Sequence, residues 1–404
     1  MRIAVIGGGA AGFFSAIHAK INHPKSEVIL YEKSKKLLAK VKVSGGGRCN
    51  VTNGCVSINE LCKAYPRGGK QLKKIFNTFS TKDTFNWFES KGIPLYTQQD
   101  NRVFPKSDSS QTIIDCLMGE MKKLNVKIET ASAVKKIEVA NNELVLTFSD
   151  SPASKQVFSH VIIASGGSPK LEGLSWLGDL GHQIISPVPS LFTFNMPNEK
   201  ITSLMGVSQK EVLVKVQGTK LKSNGPLLIT HWGMSGPAIL KLSSIGARIL
   251  NELNYQFIVQ VNWANTINND KVDQKLRELK NSHPNKKMSS IKPFDISERL
   301  WLYLLNKSQI SDNKIWGELS KKSINKLINQ LTNDTYKVNG KTTFKEEFVT
   351  CGGVSLDSVN LSTMESKAVK NLYFAGEVLD IDAITGGYNF QAAWSTGFIA
   401  GKLS

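Results

Sequence analysis

The sequence predicts an α/β protein: a Rossmann-type nucleotide-binding domain whose first and last parts are separated by an inserted β-barrel-like region and a small helical one. Three observations predict it. The chain opens with a short apolar run, a glycine turn and an apolar-periodic helix. A second apolar run, ending in an acid, stands about 20 residues beyond the turn, the spacing of a dinucleotide fingerprint. The same texture returns after Thr350, beyond a long stretch of different character.

Ile3-Ala4-Val5-Ile6 is the kind of apolar run that a parallel sheet buries on both faces. Gly7-Gly8-Gly9-Ala10-Ala11-Gly12 makes the turn, and Phe13 to Ile21 continues as a helix. Val28-Ile29-Leu30-Tyr31 is the second strand and ends at Glu32. Val134 to Phe148 alternates around Asn141-Asn142, a β-hairpin pattern. Val161-Ile162-Ile163-Ala164 is another buried strand, running into Ser165-Gly166-Gly167. From Ser186 to Trp263 short alternating segments, such as Val212 to Val216, indicate an antiparallel sheet or barrel. From Lys271 to Leu331 the apolar spacing is helical, and Leu372 to Glu377 is a strand of the first kind again. The expected segments are 1–189 and 346–404 for the nucleotide-binding domain, 190–268 for the β-rich insertion and 269–345 for the helical one.

A chain of 404 residues exceeds one ordinary core. Hydrophobic residues make up 41% and charged residues 21%, as in globular proteins that stay in water. No apolar run reaches the roughly 18 residues of a membrane span, and a strand at the N-terminus leaves no room for a signal peptide. The expectation is a cytoplasmic protein without membrane attachment. Five cysteines at wide spacing, with no CxxC pair, fit reduced thiols and no metal site. The net charge of +18 is uneven: residues 195–345 hold 23 basic against 11 acidic residues. Lys63, Arg67, Lys70, Lys73, Lys74 and Lys82 form a second basic run without an acid. Such asymmetry suits a polyanion such as RNA. A lysine-rich solvated surface is the competing reading, because only seven of the 51 basic residues are the better phosphate fork, arginine.

Three motifs carry chemistry. In the first, Gly7 permits the tight turn, Gly9 lets the backbone approach a pyrophosphate, and Gly12 lets the helix pack closely on the sheet. The helix N-terminus then faces the phosphates. Glu32 would accept hydrogen bonds from the ribose hydroxyls, which fits an adenosine without a 2′-phosphate. The second motif, Ser44-Gly45-Gly46-Gly47-Arg48-Cys49-Asn50-Val51-Thr52-Asn53, offers consecutive backbone N–H groups beside polar side chains. The third is Gly376-Glu377-Val378-Leu379-Asp380 with Gly386-Gly387-Tyr388-Asn389-Phe390-Gln391-Ala392-Ala393. Its glycine pair leads into a terminal helix whose N-terminus would stabilise the negative charge of a reduced flavin. Asp380 is placed to bond a ribityl hydroxyl. Candidate cofactor contacts further include Ala10, Ala11, Lys33, Lys40, Val134, Ala164, Ser165 and Gly166. Cys49, His231 and Tyr388 are the candidate proton donors, each lying in a motif expected to face the flavin or its lid.

Taken together these motifs resemble the bacterial BaiN/RdsA-like flavoprotein family, which includes aminoacetone oxidase-like FAD-binding enzymes. The resemblance runs over essentially the whole chain. It also rests on Arg102-Val103-Phe104-Pro105, on Thr230-His231-Trp232-Gly233-Met234-Ser235-Gly236-Pro237 and on Thr363-Met364-Glu365-Ser366-Lys367. It implies a FAD-binding domain like the nucleotide-binding half of glutathione reductase, interrupted by β-barrel-like and helical insertions, with FAD held non-covalently. The chain departs from the family pattern at Ala164-Ser165-Gly166-Gly167, at Pro169-Lys170-Leu171-Glu172 and at Asp380-Ile381-Asp382-Ala383.

No second GxGxxG occurs, so NAD(P)H would visit the flavin transiently as reductant. Hydrolase and NTPase motifs are absent from the sequence. Three functions stay open. One is NAD(P)H-dependent reduction of a C=C bond, with uridine in ribosomal RNA as leading substrate, hydride passing to C6 and a proton to C5. Another is an O₂-using oxidase of small amines or ketones. The third is a non-catalytic flavin protein that binds RNA or another partner. The substrate and the oligomeric state are not written in the sequence.

Overall fold

The computed structural model describes residues 1–149, 155–342 and 349–404. The chain divides into two compact units, Met1–Ser190 with Phe344–Ser404, and Leu191–Thr343. The expected boundary at 345/346 lies outside the described residues.

The first unit is built on a seven-stranded sheet. Its strand order is Val359–Asn360, Glu365–Ser366, Leu372–Phe374, His160–Ile163, Arg2–Ile6, Glu27–Tyr31 and Lys127–Glu129. The five strands from Leu372–Phe374 to Lys127–Glu129 pair in parallel, and the other two add on antiparallel. Ile3, Ala4, Val5, Val161, Ile162 and Ile163 have no exposed surface, as continuous apolar runs in a sheet covered on both faces should. Helix Ala10–Asn22 follows the first strand and packs against the terminal helix Tyr388–Ala400. Small residues set the closeness of that packing: a Cβ on Gly397 would stand 3.0 Å from the Ala11 carbonyl oxygen. The hairpin expected over Val134 to Phe148 is present as Val134–Ala140 and Glu143–Phe148, and Asn141 and Asn142 turn it with φ of 52° and 62°.

The second unit holds a seven-stranded antiparallel sheet, in the order Asp334–Asn339, Gln256–Asn262, Ser208–Val216, Lys222–Thr230, Gly233–Ser235, Thr193–Asn195, Lys341–Thr342. Helices Asn269–Ser282, Glu298–Lys307 and Lys321–Thr332 share one hydrophobic core with it, including Trp263, Trp301 and Trp316. No closed barrel is found in place of the expected one: among the described residues no ladder pairs the two outermost strands with each other. The edges are consecutive stretches of chain hinged at Gly340, at φ 99°. Gly340 donates to the Tyr255 carbonyl on one side and accepts from Asn195 N on the other.

Candidate cofactor site

The carboxyl ends of the parallel strands gather the fingerprint residues, the place where open α/β sheets take ligands. Ile6 leads into Gly7, Tyr31 into Glu32, Ile163 into Ala164 and Phe374 into Ala375-Gly376. The three fingerprint glycines have different reasons to be glycine. A Cβ on Gly7, at φ 117°, would lie 2.2 Å from the Ala164 oxygen, and one on Gly12 would lie 1.8 Å from the Gly7 oxygen. The protein itself forbids side chains at both.

Gly9 is the contrast. Its φ of −96° and ψ of −171° suit any residue, and an added Cβ would meet no atom within 4 Å. Gly9 also begins the helix, where no side chain among the described residues caps the first turn. The free backbone N–H groups of Ala10, Ala11 and Gly12 and the open space above Gly9 are what a pyrophosphate needs. The residues present therefore fit a dinucleotide.

Glu32 is half-buried, accepting from Gly8 N at 2.8 Å through Oε2 and from Ser34 N at 2.9 Å through Oε1. A carboxylate has about four acceptor positions, so two remain for ribose hydroxyls. Lys33 is exposed, and Val134 is half-buried at the start of its hairpin. Ser165 is exposed and Gly166 turns at φ 76°. Gly376 also has φ 76°; its added Cβ would stand 2.6 Å from Ala11 Cβ, and its N–H donates to Thr396 Oγ1 at 2.9 Å. Glu377 accepts from Lys40 Nζ at 2.7 Å and from Thr350 N at 2.8 Å. Lys40 and Glu377 thus tie segments from opposite ends of the sequence.

The Ser44–Asn53 motif forms the end of a helical segment that kinks at Ser44, with Gly45, Gly46 and Gly47 at φ 59°, 69° and 84°. Arg48 lies over the Phe104 ring, 4.2 Å from its centroid, and reaches Asp108 at 3.7 Å. Asn50 Oδ1 accepts from Val103 N at 3.3 Å, and Thr52 pairs with Val103 in a short sheet. The motif is also joined to the third one. A Cβ on Gly387 would meet the Thr52 oxygen at 2.3 Å, and Asn53 Nδ2 donates to the Gly386 oxygen at 2.9 Å. Gln391 is fully buried; its Oε1 accepts from Thr52 and Thr84, and its Nε2 donates to Ser395. Thr52 and Gln391 thereby lock the two motifs together. Ala392 accepts from Thr396 Oγ1 inside the terminal helix.

The candidate proton donors separate. Cys49 has no exposed surface, its φ is 60°, and burial pushes its thiol up to about 12, partly offset by a hydrogen bond with Ser44. A thiol so enclosed is a packing group and a poor proton donor. Tyr388, half-buried at the N-terminus of the terminal helix, has its pKa raised by burial first and by nearby Cys55 second. Its backbone oxygen accepts from Tyr65 Oη at 2.6 Å. His231 belongs to the other unit, where its exposed ring sits edge-on to Trp232 at 4.1 Å.

One buried group escaped the reading from sequence. Asp382 has no exposed surface and takes both arms of the Arg67 guanidinium, with Ser190 Oγ donating at 2.7 Å. Burial pushes the Asp382 carboxyl up, and Arg67 and Ser190 hold it back. Arg67 is therefore no free phosphate contact, contrary to its place in the basic run. The available signal was one arginine among lysines, since the fork is the better buried carboxylate partner. Asp380 donates its backbone N–H to the Val354 oxygen at 2.9 Å, and Asn389 brackets Ala383 with bonds of 3.0 and 3.2 Å.

No helix among the described residues is long and apolar enough to cross a membrane. Comparison with known proteins places this geometry. Residues 1–403 match the model of the HI0933-like protein Rossmann domain. The ribosomal RNA dihydrouridine synthase of Escherichia coli is 31% identical, over 98% of this chain and 95% of its own. The 3-dehydro-bile acid delta(4,6)-reductase of Clostridium scindens is 26% identical, over 100% of this chain and 98% of its own. Among solved structures, the 3-ketosteroid-delta4-(5alpha)-dehydrogenase of Rhodococcus jostii shares the fold at TM-score 0.51 and 12% identity, covering 99% of this chain and 96% of its own. An open flavocytochrome c3 fumarate reductase shares it at TM-score 0.50 and 15% identity, covering 100% of this chain and 77% of its own. The chain belongs to the HI0933-like Rossmann-domain family, and it is a flavin-dependent oxidoreductase of that family.

Proposed function

We propose that the chain holds FAD non-covalently and, with NAD(P)H as a visiting reductant, reduces a carbon–carbon double bond, with uridine in ribosomal RNA as the leading substrate. Reduction is common to the relatives, two named ribosomal RNA dihydrouridine synthase and one named a bile-acid reductase. The observation that favours RNA is one helix, Gly69–Thr78. Leu72, Ile75 and Phe76 bury one side of it, while Lys70, Lys73 and Lys74 stand exposed at helical spacing. No ion pair among the described residues neutralises these three lysines. Such a face suits a phosphate backbone.

Bound FAD, once reduced by NAD(P)H, would supply the hydride. The chain must supply the proton, and Tyr388 is the residue for it: unlike the sealed Cys49 it is only half-buried, at the N-terminus of the terminal helix, and a phenol carries its proton at neutral pH, so it can donate to the carbon that hydride does not reach. The test supplies unmodified ribosomal RNA with NADPH or NADH and measures nucleosides by mass spectrometry. Uridine gaining two hydrogens is expected, and Tyr388→Phe should keep its FAD and lose roughly 10²- to 10⁴-fold in rate. Product formation without a pyridine nucleotide would overturn the reductant assignment. Unmodified uridine, with hydrogen peroxide formed from a small amine or ketone, would select the oxidase instead.

A further inference from the structure

The segment Ala64–Gly68 runs alongside the loop from Asp380 to Gly387 and holds it at several points. Arg67 bridges Asp382 through the backbone as well as through the guanidinium. Ile384 N donates to the Ala64 oxygen at 2.9 Å, and Tyr65 Oη to the Tyr388 oxygen. Gly68, at φ 77°, lies against the far side, where an added Cβ would be 3.0 Å from Ile381 and 3.4 Å from the Asp380 oxygen. Beyond the loop, Gly387 rests on Thr52 and Asn50, and the terminal helix begins. The loop is therefore held by the glycine-rich Ser44–Asn53 motif and the Ala64–Gly68 segment, besides Val354 at Asp380 and Asn389 at Ala383.

We infer that Arg67 is a positioning residue for the cofactor: through Asp382 it sets the path of the Asp380–Gly387 loop, and so the placement of Asp380 and of the terminal-helix N-terminus toward the flavin. This rests on the FAD reading above. Among the described residues no other side-chain fork holds Asp382, and Ser190 supplies one hydrogen bond. Two glycines, Gly386 at φ 133° and Gly387 at φ 87°, would let the loop move when the fork is removed. A buried ion pair adds little stability by itself, and its replacement by apolar groups is often tolerated. Its best physical use here is to fix geometry.

The test separates holding the fold from holding the loop. Wild type, Arg67→Lys, Arg67→Met and the double variant Arg67→Met/Asp382→Leu are compared for melting temperature without FAD and for FAD dissociation constant by flavin fluorescence. Arg67→Met strands a buried carboxylate, so both quantities should worsen. The double variant removes both charges: its melting temperature should return toward wild type while FAD still binds roughly tenfold or more weakly. Arg67→Lys keeps the charge and loses the fork, so it should fold and show weakened FAD binding. A double variant that regains wild-type FAD affinity along with its melting temperature overturns the inference, as does an Arg67→Lys protein that binds FAD like wild type. A wild-type protein that takes up no FAD would instead refute the cofactor reading, and the two failures are distinct.

Discussion

Replacing Gly9 with Val separates what the fold needs from what the cofactor needs. The backbone there is extended, a region β-branched residues adopt readily, and an added Cβ meets no atom within 4 Å. The apoprotein should melt within about 2 °C of wild type, the scale of about 1 kcal/mol in a chain of this size, which covers replacing a glycine N-cap by valine. The new side chain would stand over the uncapped helix turn and keep a pyrophosphate from its backbone donors. Two lost hydrogen bonds to a charged group, at about 1.5–3 kcal/mol each, come to roughly 3–6 kcal/mol. With tenfold in affinity per about 1.4 kcal/mol, FAD should bind roughly 10²- to 10⁴-fold more weakly. Gly12→Ala is the counterpart, because its Cβ would sit 1.8 Å from the Gly7 oxygen. There the cost falls on the fold, at about 1–3 kcal/mol or more of overpacking. Thermal melts of the apoproteins and FAD titrations by fluorescence quenching read the two effects separately. A folded Gly9→Val protein that binds FAD like wild type would refute the reasoning, and so would one that fails to fold.

Replacing Lys70, Lys73 and Lys74 with Gln should flatten the slope of log K against log salt for single-stranded RNA by about two units, at roughly 0.7 per phosphate, and leave the flavin spectrum unchanged. An unchanged slope, or a parent that does not bind RNA, would count against the RNA reading. His18 gives a pH dependence of known sign. Burial lowers its pKa to about 4, with a hydrogen bond to the Phe14 oxygen opposing the shift. The folded state keeps the ring neutral while the unfolded chain takes up a proton near 6.5. Stability is therefore full above about pH 6.5 and falls, by on the order of 3 kcal/mol, as pH drops toward 4. His18→Leu should weaken the acid-side decline in melting temperature, and a decline as steep as in wild type would show that His18 does not carry it.

The nucleotide-binding fold was legible because it is encoded locally. The apolar run Ile3–Ile6, the glycine turn and Glu32 sit within the first 32 residues, and each has its own physical requirement. The hairpin announced itself through alternation and an Asn-Asn turn that accepts positive φ. What stayed hidden was long-range pairing. Cys49 lies in a polar, glycine-rich string, and only the packing around it shows a sealed thiol. Arg67 and Asp382 are 315 positions apart, so composition could count the arginine only as surface charge. The bend at Gly340, where one stretch of chain passes from pairing with Gln256–Asn262 to pairing with Thr193–Asn195, is likewise not encoded by alternation in hydropathy.

The strand order of the first sheet has a consequence for biosynthesis. His160–Ile163 is flanked on one side by Arg2–Ile6 and on the other by Leu372–Phe374. During translation its second edge waits while about 200 further residues emerge, roughly 10–40 s at ordinary elongation rates. For that interval an apolar strand end, Val161-Ile162-Ile163, presents unpaired backbone groups to the cell, the condition under which nascent chains aggregate. The second unit must be threaded and folded in the meantime. Ribosomes stalled before residue 372 should thus carry a first unit that engages a holding chaperone, and release should follow once the final strand is out.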